Sequence, residues 1–159
     1  MSNESPLRFA VIGAGHIAQV AVLPAFEHAE NATLAAIVSG DPEKRDLLGR
    51  RYDVPTVDYG ECGHLLGTDE VDAVYIAVPN HLHAHYALLA AKHGKHVLCE
   101  KPMAPTEEDC AQMVSACEDA GVQLMIATGS LLVATTAFGQ DGGAGAGPVE
   151  ILFHPRVID

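Results

Sequence analysis

Apolar residues in this chain fall into short runs closed by glycine, proline or a polar turn, and between the runs they recur at helical spacing. Leu7 to Ile12 is the first run and ends at Gly13. Ile17, Val20, Ala21 and Phe26 follow at helical spacing, so the pattern predicts strand, turn and helix, with Pro24 bending the helix. Thr33 to Val38 repeats the buried-strand pattern. Asp41-Pro42-Glu43 then opens a helix expected to run to about Tyr52, since proline is tolerated in a first turn and acids favour the positive end of the dipole. A short strand at Thr56 and Val57 and a brief helix around Glu61 to Leu66 come next, then a strand from Val71 to Val78 ending at Pro79-Asn80.

Ala84, Leu88 and Ala91 share one helical face until Gly94, and Lys95 to Cys99 forms the next strand. Thr106 reads as an N-cap, followed by Glu107, Glu108 and Asp109 in the first turn. Cys110, Met113, Val114 and Cys117 hold the helical spacing as far as Gly121, and Val122 to Ala127 is the last buried strand. Strands and helices alternate throughout, which implies right-handed crossovers and an α/β fold, a doubly wound parallel sheet with helices on both faces.

With 159 residues, 48% of them hydrophobic, the chain can bury the core of one domain and leaves no room for a second full one. Residues 1–127 are expected to form that domain. From 128 to 159 the character changes: Gly139, Gly142, Gly143, Gly145 and Gly147 crowd together, and the tail is expected to be disordered or irregular, with Ile151-Leu152-Phe153 able at most to add an edge strand.

The net charge of -12 argues against nucleic acid or an anionic membrane surface as partner. Met1 to Ala10 lacks the apolar core of a secretory signal, and no run approaches the length of a membrane span, so the expected location is cytoplasmic. Cys62, Cys99, Cys110 and Cys117 form no Cys-x-x-Cys pair, as expected of reduced cysteines acting as small apolar residues.

The turn after the first strand reads Gly13-Ala14-Gly15-His16-Ile17-Ala18, a Gly-x-Gly-x-x-Ala dinucleotide fingerprint of Rossmann type. Gly13 permits the tight turn and Gly15 lets backbone approach a pyrophosphate. His16 and Ile17 open the helix whose unpaired amides receive the phosphates, and Ala18 is small enough for helix and strand to pack closely. An acid at the end of the second strand would favour NAD. That place is Ser39, and Ser39-Gly40 followed by Lys44 and Arg45 suits a phosphorylated ribose, so NADP is preferred. Asp41 keeps NAD open, and a plain solvated helix face is the competing reading of the cations.

Glu100-Lys101-Pro102 follows the fifth strand directly, and a lysine there points toward the crevice where open α/β sheets bind ligands. A cation at that point stabilises a developing alkoxide as hydride leaves. His81, His83 and His85 invite a metal reading. In a helix His81 and His85 share a face that His83 does not, and no carboxylate or cysteine cluster completes a site, so no metal is assigned.

These segments, together with Asp72-Ala73-Val74-Tyr75-Ile76, Pro79-Asn80-His81-Leu82-His83 and Gly94-Lys95-His96-Val97-Leu98-Cys99-Glu100-Lys101-Pro102, resemble the Gfo/Idh/MocA oxidoreductase family from residue 7 to 127. The resemblance implies a nicotinamide cofactor and a small-molecule sugar or polyol substrate. It further implies that Lys101 acts beside nicotinamide and substrate, that Glu100 orients Lys101 or contacts the nicotinamide ribose, and that Pro79, Asn80 and His83 line the cofactor crevice.

Members of that family continue past the sixth strand with a Tyr-Arg segment and a large substrate domain, whereas this chain reads Ala127-Thr128-Gly129-Ser130. The expectation is a nucleotide-binding half of an oxidoreductase with an unrelated tail, not expected to be active alone, or else a stand-alone dinucleotide-binding module that senses cofactor or completes its site with a partner. The genetic code offers a route: GCN-TAC-CGG-CTC encodes Ala-Tyr-Arg-Leu, and loss of the first T leaves GCN-ACC-GGC-TC, which begins Ala-Thr-Gly-Ser. Sequencing the coding DNA past codon 127 should find another frame that resumes Tyr-Arg and an α/β domain; three unrelated frames would dismiss the deletion.

Overall fold

A computed structural model describes residues 5–127; the glycine-rich tail and the possible strand at Ile151-Leu152-Phe153 lie outside the described residues. Six strands form one sheet, β1 (Leu7–Ile12), β2 (Ala32–Val38), β3 (Thr56–Val57), β4 (Ala73–Ile76), β5 (His96–Glu100) and β6 (Leu124–Ala127). Their order is β3-β2-β1-β4-β5-β6 and every pairing is parallel. The order reverses between β1 and β4, so the loops leaving those two strands diverge and open a crevice at their carboxyl ends.

Burial on both faces explains why the strands read as unbroken apolar runs rather than as alternating ones. Along β1, Ala10 and Ile12 join a core with Val74, Ile76, Val97 and Cys99, while Phe9 and Val11 face the other way with Ile37, Tyr75 and Leu98. The first core is closed by α3 (Cys62–Leu66), α4 (His83–Lys92) and α5 (Glu107–Asp119) through Leu66, Tyr86, Ala90, Met113 and Cys117. The second is closed by α1 (Leu23–Phe26) and α2 (Pro42–Tyr52) through Leu23, Phe26 and Leu48. All four cysteines are free thiols. Burial pushes the thiols of Cys62 and Cys117 up to about 11 and that of Cys99 up to about 12, which suits apolar packing rather than reactivity.

Local chemistry sets the boundaries. Asp41 caps α2, its Oδ1 accepting from the amides of Glu43 and Lys44 at 3.0 and 3.2 Å. Thr106 caps α5 by accepting from Asp109 N–H at 3.1 Å. The bend expected at Pro24 takes a specific form: a π-helical turn, Ala18–Val22, runs into α1, with Leu23 N–H reaching back to Ala18 O immediately before the proline that has no N–H to give. Among the described residues no helix is long and apolar enough to cross a membrane.

Arg8 and Asp72 join the starts of β1 and β4. The guanidinium donates to both carboxylate oxygens at 2.9 and 2.7 Å, and the Arg8 amide adds a third bond at 2.9 Å. The Arg8 hydrogen bond holds the Asp72 carboxyl below its ordinary value, against the opposing pull of desolvation. A depressed carboxyl stabilises the fold fully above its unfolded value of about 3.9 and loses that contribution as pH falls through the lower folded value. Asp72→Asn is therefore expected to lower Tm at pH 7, and the gap from wild type should close below about pH 4. Thermal unfolding at several pH values checks this, and a gap that widens in acid would contradict it.

Candidate functional site

The crevice beside the switch between β1 and β4 has a volume of about 290 Å³ and is lined by the turn after β1, the turn after β2, the turn after β4, and Tyr59. Seven of the residues singled out from sequence meet there: Gly13, Gly15, Ser39, Gly40, Asp41, Lys44 and Pro79. The two fingerprint glycines do different work. Gly13 has φ +103°, and a Cβ built on it would lie 2.6 Å from Ala77 O, so only glycine lets the β1 turn lie against the backbone leaving β4. Around Gly15 a Cβ would meet nothing within 4 Å. Its lack of a side chain thus serves something other than the protein's own packing. His16 and Ile17 are exposed at the start of the helical segment, and Ala18 is fully buried, as close helix–strand packing requires. Gln19 steadies the turn by donating to Ala14 O at 2.8 Å.

At the end of β2, Ser39 is buried and accepts from the Asp41 amide at 3.3 Å. Asp41 is the cap of α2, and its other carboxylate oxygen lies 3.9 Å from Lys44 Nζ. Lys44 faces the crevice, but Arg45 departs from the expected cation pair. Its guanidinium donates to Ser39 O at 2.6 Å and to Asp58 at 3.0 Å, so it braces the turn from behind. Tyr59 was not singled out by sequence reasoning, yet it forms a wall of the crevice, with its ring 3.2 Å from where a Gly40 Cβ would stand. Its signal was Gly40 itself, since a glycine between a strand and a capped helix marks a place that a neighbouring group occupies.

The remaining predicted residues lie along the turns after β4 and β5. Asn80 is exposed beside Pro79. Glu100 ends β5, accepting from the Tyr75 phenol at 2.6 Å and from the Lys101 amide at 3.2 Å. Lys101 is exposed. His83 does not line the crevice: it is 1% exposed and its ring nitrogens sit 2.9 Å from Val78 O and 2.9 Å from Pro102 O. Helical phase explains this, because His83 opens α4 on the face that packs against the sheet while His81 and His85 stay exposed. No three metal-ligating side chains come together among the described residues.

A glycine turn, a helix start and a crevice at the switch point of a parallel sheet define a dinucleotide-binding domain of Rossmann type. The chain belongs to the Gfo/Idh/MocA family, described as an oxidoreductase family with an NAD-binding Rossmann fold, which it matches over residues 7–128. It is 40% identical over 119 residues to the D-xylose 1-dehydrogenase (NADP(+)) 2 of Haloferax volcanii, covering 75% of this chain and 36% of that protein. The scyllo-inositol 2-dehydrogenase (NADP(+)) of Bacillus subtilis is 36% identical, with 75% and 36% covered. Among solved structures, the aldose-aldose oxidoreductase of Caulobacter crescentus complexed with glycerol superposes with a TM-score of 0.76 at 38% identity, over 86% of this chain and 43% of that one. The chain spans about a third of the length of the curated relatives it matches.

The glycines separate folding from binding. Gly13→Ala is expected to cost at least about 2 kcal/mol, from the positive φ and the collision with Ala77, whereas Gly15→Ala should unfold at the wild-type temperature. Differential scanning calorimetry decides, and equal losses in both would refute the division.

Proposed function

We propose that this domain binds NADP and serves a Gfo/Idh/MocA oxidoreductase that moves hydride between the nicotinamide and a sugar or polyol, in the cytoplasm. The observation that carries the reading is the open space over Gly15, at the crevice formed where the sheet order reverses. A dinucleotide fits the residues present: the backbone of Gly13 and Gly15 and the amides of His16 and Ile17 would hold the pyrophosphate, and Pro79 and Asn80 would border the crevice beyond it. Ser39, Gly40 and Lys44 would hold the adenosine ribose and its 2'-phosphate. Lys44 supplies positive charge there, and Asp41 is occupied as a helix cap, which weakens it as a partner for ribose hydroxyls.

The nicotinamide would supply the hydride acceptor or donor. The chain's own contribution is the Lys101 ammonium, which hydrogen-bonds the substrate oxygen and stabilises negative charge as the carbon is oxidised or reduced. Glu100 holds the Lys101 amide and would present its carboxylate toward the nicotinamide ribose. Groups that enclose the substrate come from outside this domain, whether from residues 128–159, a longer chain or a partner protein. Relatives whose names specify xylose and inositol support a polyhydroxylated substrate.

Fluorescence titration of the chain with NADPH and NADH tests the cofactor. NADPH should bind at least about tenfold more tightly, Lys44→Ala should erase most of that difference, and Gly15→Ala should weaken both. Equal affinity for the two in wild type would remove the NADP preference, and no binding of either would remove the reading. Lys101→Met should leave NADPH affinity within about twofold while abolishing turnover of aldoses or polyols wherever wild type shows it. Binding without turnover on every sugar tried, with or without candidate partners, would favour a cofactor-binding module instead.

A further inference from the structure

We propose that Tyr75 and His83 are positioning residues that hold the turn at 100–103 from its two ends and so fix where the Lys101 ammonium stands. The proposal rests on the reading of Lys101 given above. Lys101 itself is exposed and sits on a turn beyond the end of β5, so nothing about the strand alone fixes it. The restraint comes from β4 and the start of α4.

At the first end, the Tyr75 phenol donates to Glu100 Oε1 at 2.6 Å, leaving Oε2 to accept the Lys101 amide at 3.2 Å. Tyr75 is 2% exposed on the face of β4. Burial and the neighbouring Glu100 carboxylate push the phenol well above its ordinary value, so it stays a proton donor. A carboxylate held at both oxygens cannot swing, and the residue that follows it is held with it.

At the second end, His83 Nδ1 lies 2.9 Å from Pro102 O and 3.3 Å from Met103 O, while Nε2 lies 2.9 Å from Val78 O. The ring stands between the turn after β5 and the turn after β4, whose Val78 lines the crevice; a neutral imidazole carries one N–H, and we place it on Nδ1, donating to Pro102 O. Apart from tyrosines and cysteines, His83 and Ser39 are the buried polar side chains among the described residues. A buried polar ring confined between backbone carbonyls of two turns is a tether. An apolar side chain of the same size would fill the space and hold neither turn.

Amide hydrogen exchange of the full chain, read by NMR at Lys101 and Met103, tests the tethers without cofactor. Asparagine places its amide near the position of Nδ1, and glutamine near that of Nε2. His83→Asn should keep the bond to Pro102 and leave exchange within about twofold, while His83→Gln and Tyr75→Phe should speed it by about tenfold, with Val74 and Val97 amides unchanged. Unchanged exchange at the turn in both Tyr75→Phe and His83→Gln, or equal acceleration in His83→Asn and His83→Gln, would overturn the proposal. If the His83 variants unfold, Tyr75→Phe, which keeps the ring packing, decides alone. NADPH added to wild type separates the two ideas: absence of protection at Gly13 and Gly15 would defeat the cofactor reading while the tethers stand.

Discussion

The turn after β1 passes so close to the backbone leaving β4 that no side chain fits between them, and the site is organised around that approach. Gly13 N–H donates to Val38 O at 2.9 Å, and Ala77 N–H donates to Ile12 O at 2.8 Å, so the last bonds of the sheet are made where the chain is about to turn. Three strands are drawn together at that point and their loops diverge from it.

This arrangement divides the polar work between backbone and side chains. In the proposed reading the pyrophosphate region is built from amides and a helix start, whose groups do not titrate and keep their direction because the sheet fixes them. Charge enters at the edges, with Lys44 beside the end of β2 and Lys101 beyond the end of β5. A protein with 21 acidic and 9 basic residues must limit repulsion of an anionic cofactor there. Asp58 is paired with Arg45 at 3.0 Å and Asp41, which lines the crevice, has Lys44 at 3.9 Å, so cations offset two of the nearby acids.

The succession of strands along the chain was legible, with limits within two residues of those observed, because each apolar run is short and ends at a residue with a mechanical reason to end it. Gly13 closes β1, and Gly94 with φ +67° and Gly121 with φ +66° close the helices before β5 and β6. The capped starts at Asp41 and Thr106 were legible for the same reason. The uses of the long polar side chains were not. Lys44 and Arg45 are adjacent and equally basic, yet one faces the crevice and the other braces Asp58, a difference set by helical phase and by where a distant loop returns. Helical spacing separates His83 from His81 and His85, but only the packing of α4 on the sheet shows that its face is the inward one. Tyr75 stood inside a strand predicted to be buried on both faces. Its phenol required a partner there, and that requirement was the available signal for the bond to Glu100.

Tethering of the Lys101 turn follows from the same topology. In a parallel sheet the loop after each strand stands free above the carboxyl edge, where the ladder can no longer restrain it. The β1 turn is restrained by contact with Ala77, which glycine alone permits. At the β5 turn, Glu100 pairs with Ala127 of β6, the last of the described residues. Among the described residues, side chains of the adjacent crossover reach this turn: Tyr75 from β4 and His83 from the first turn of α4. The role proposed for Lys101, meeting a substrate oxygen, needs placement finer than an untethered loop provides. The two buried polar contacts beneath the turn supply it without occupying the crevice above.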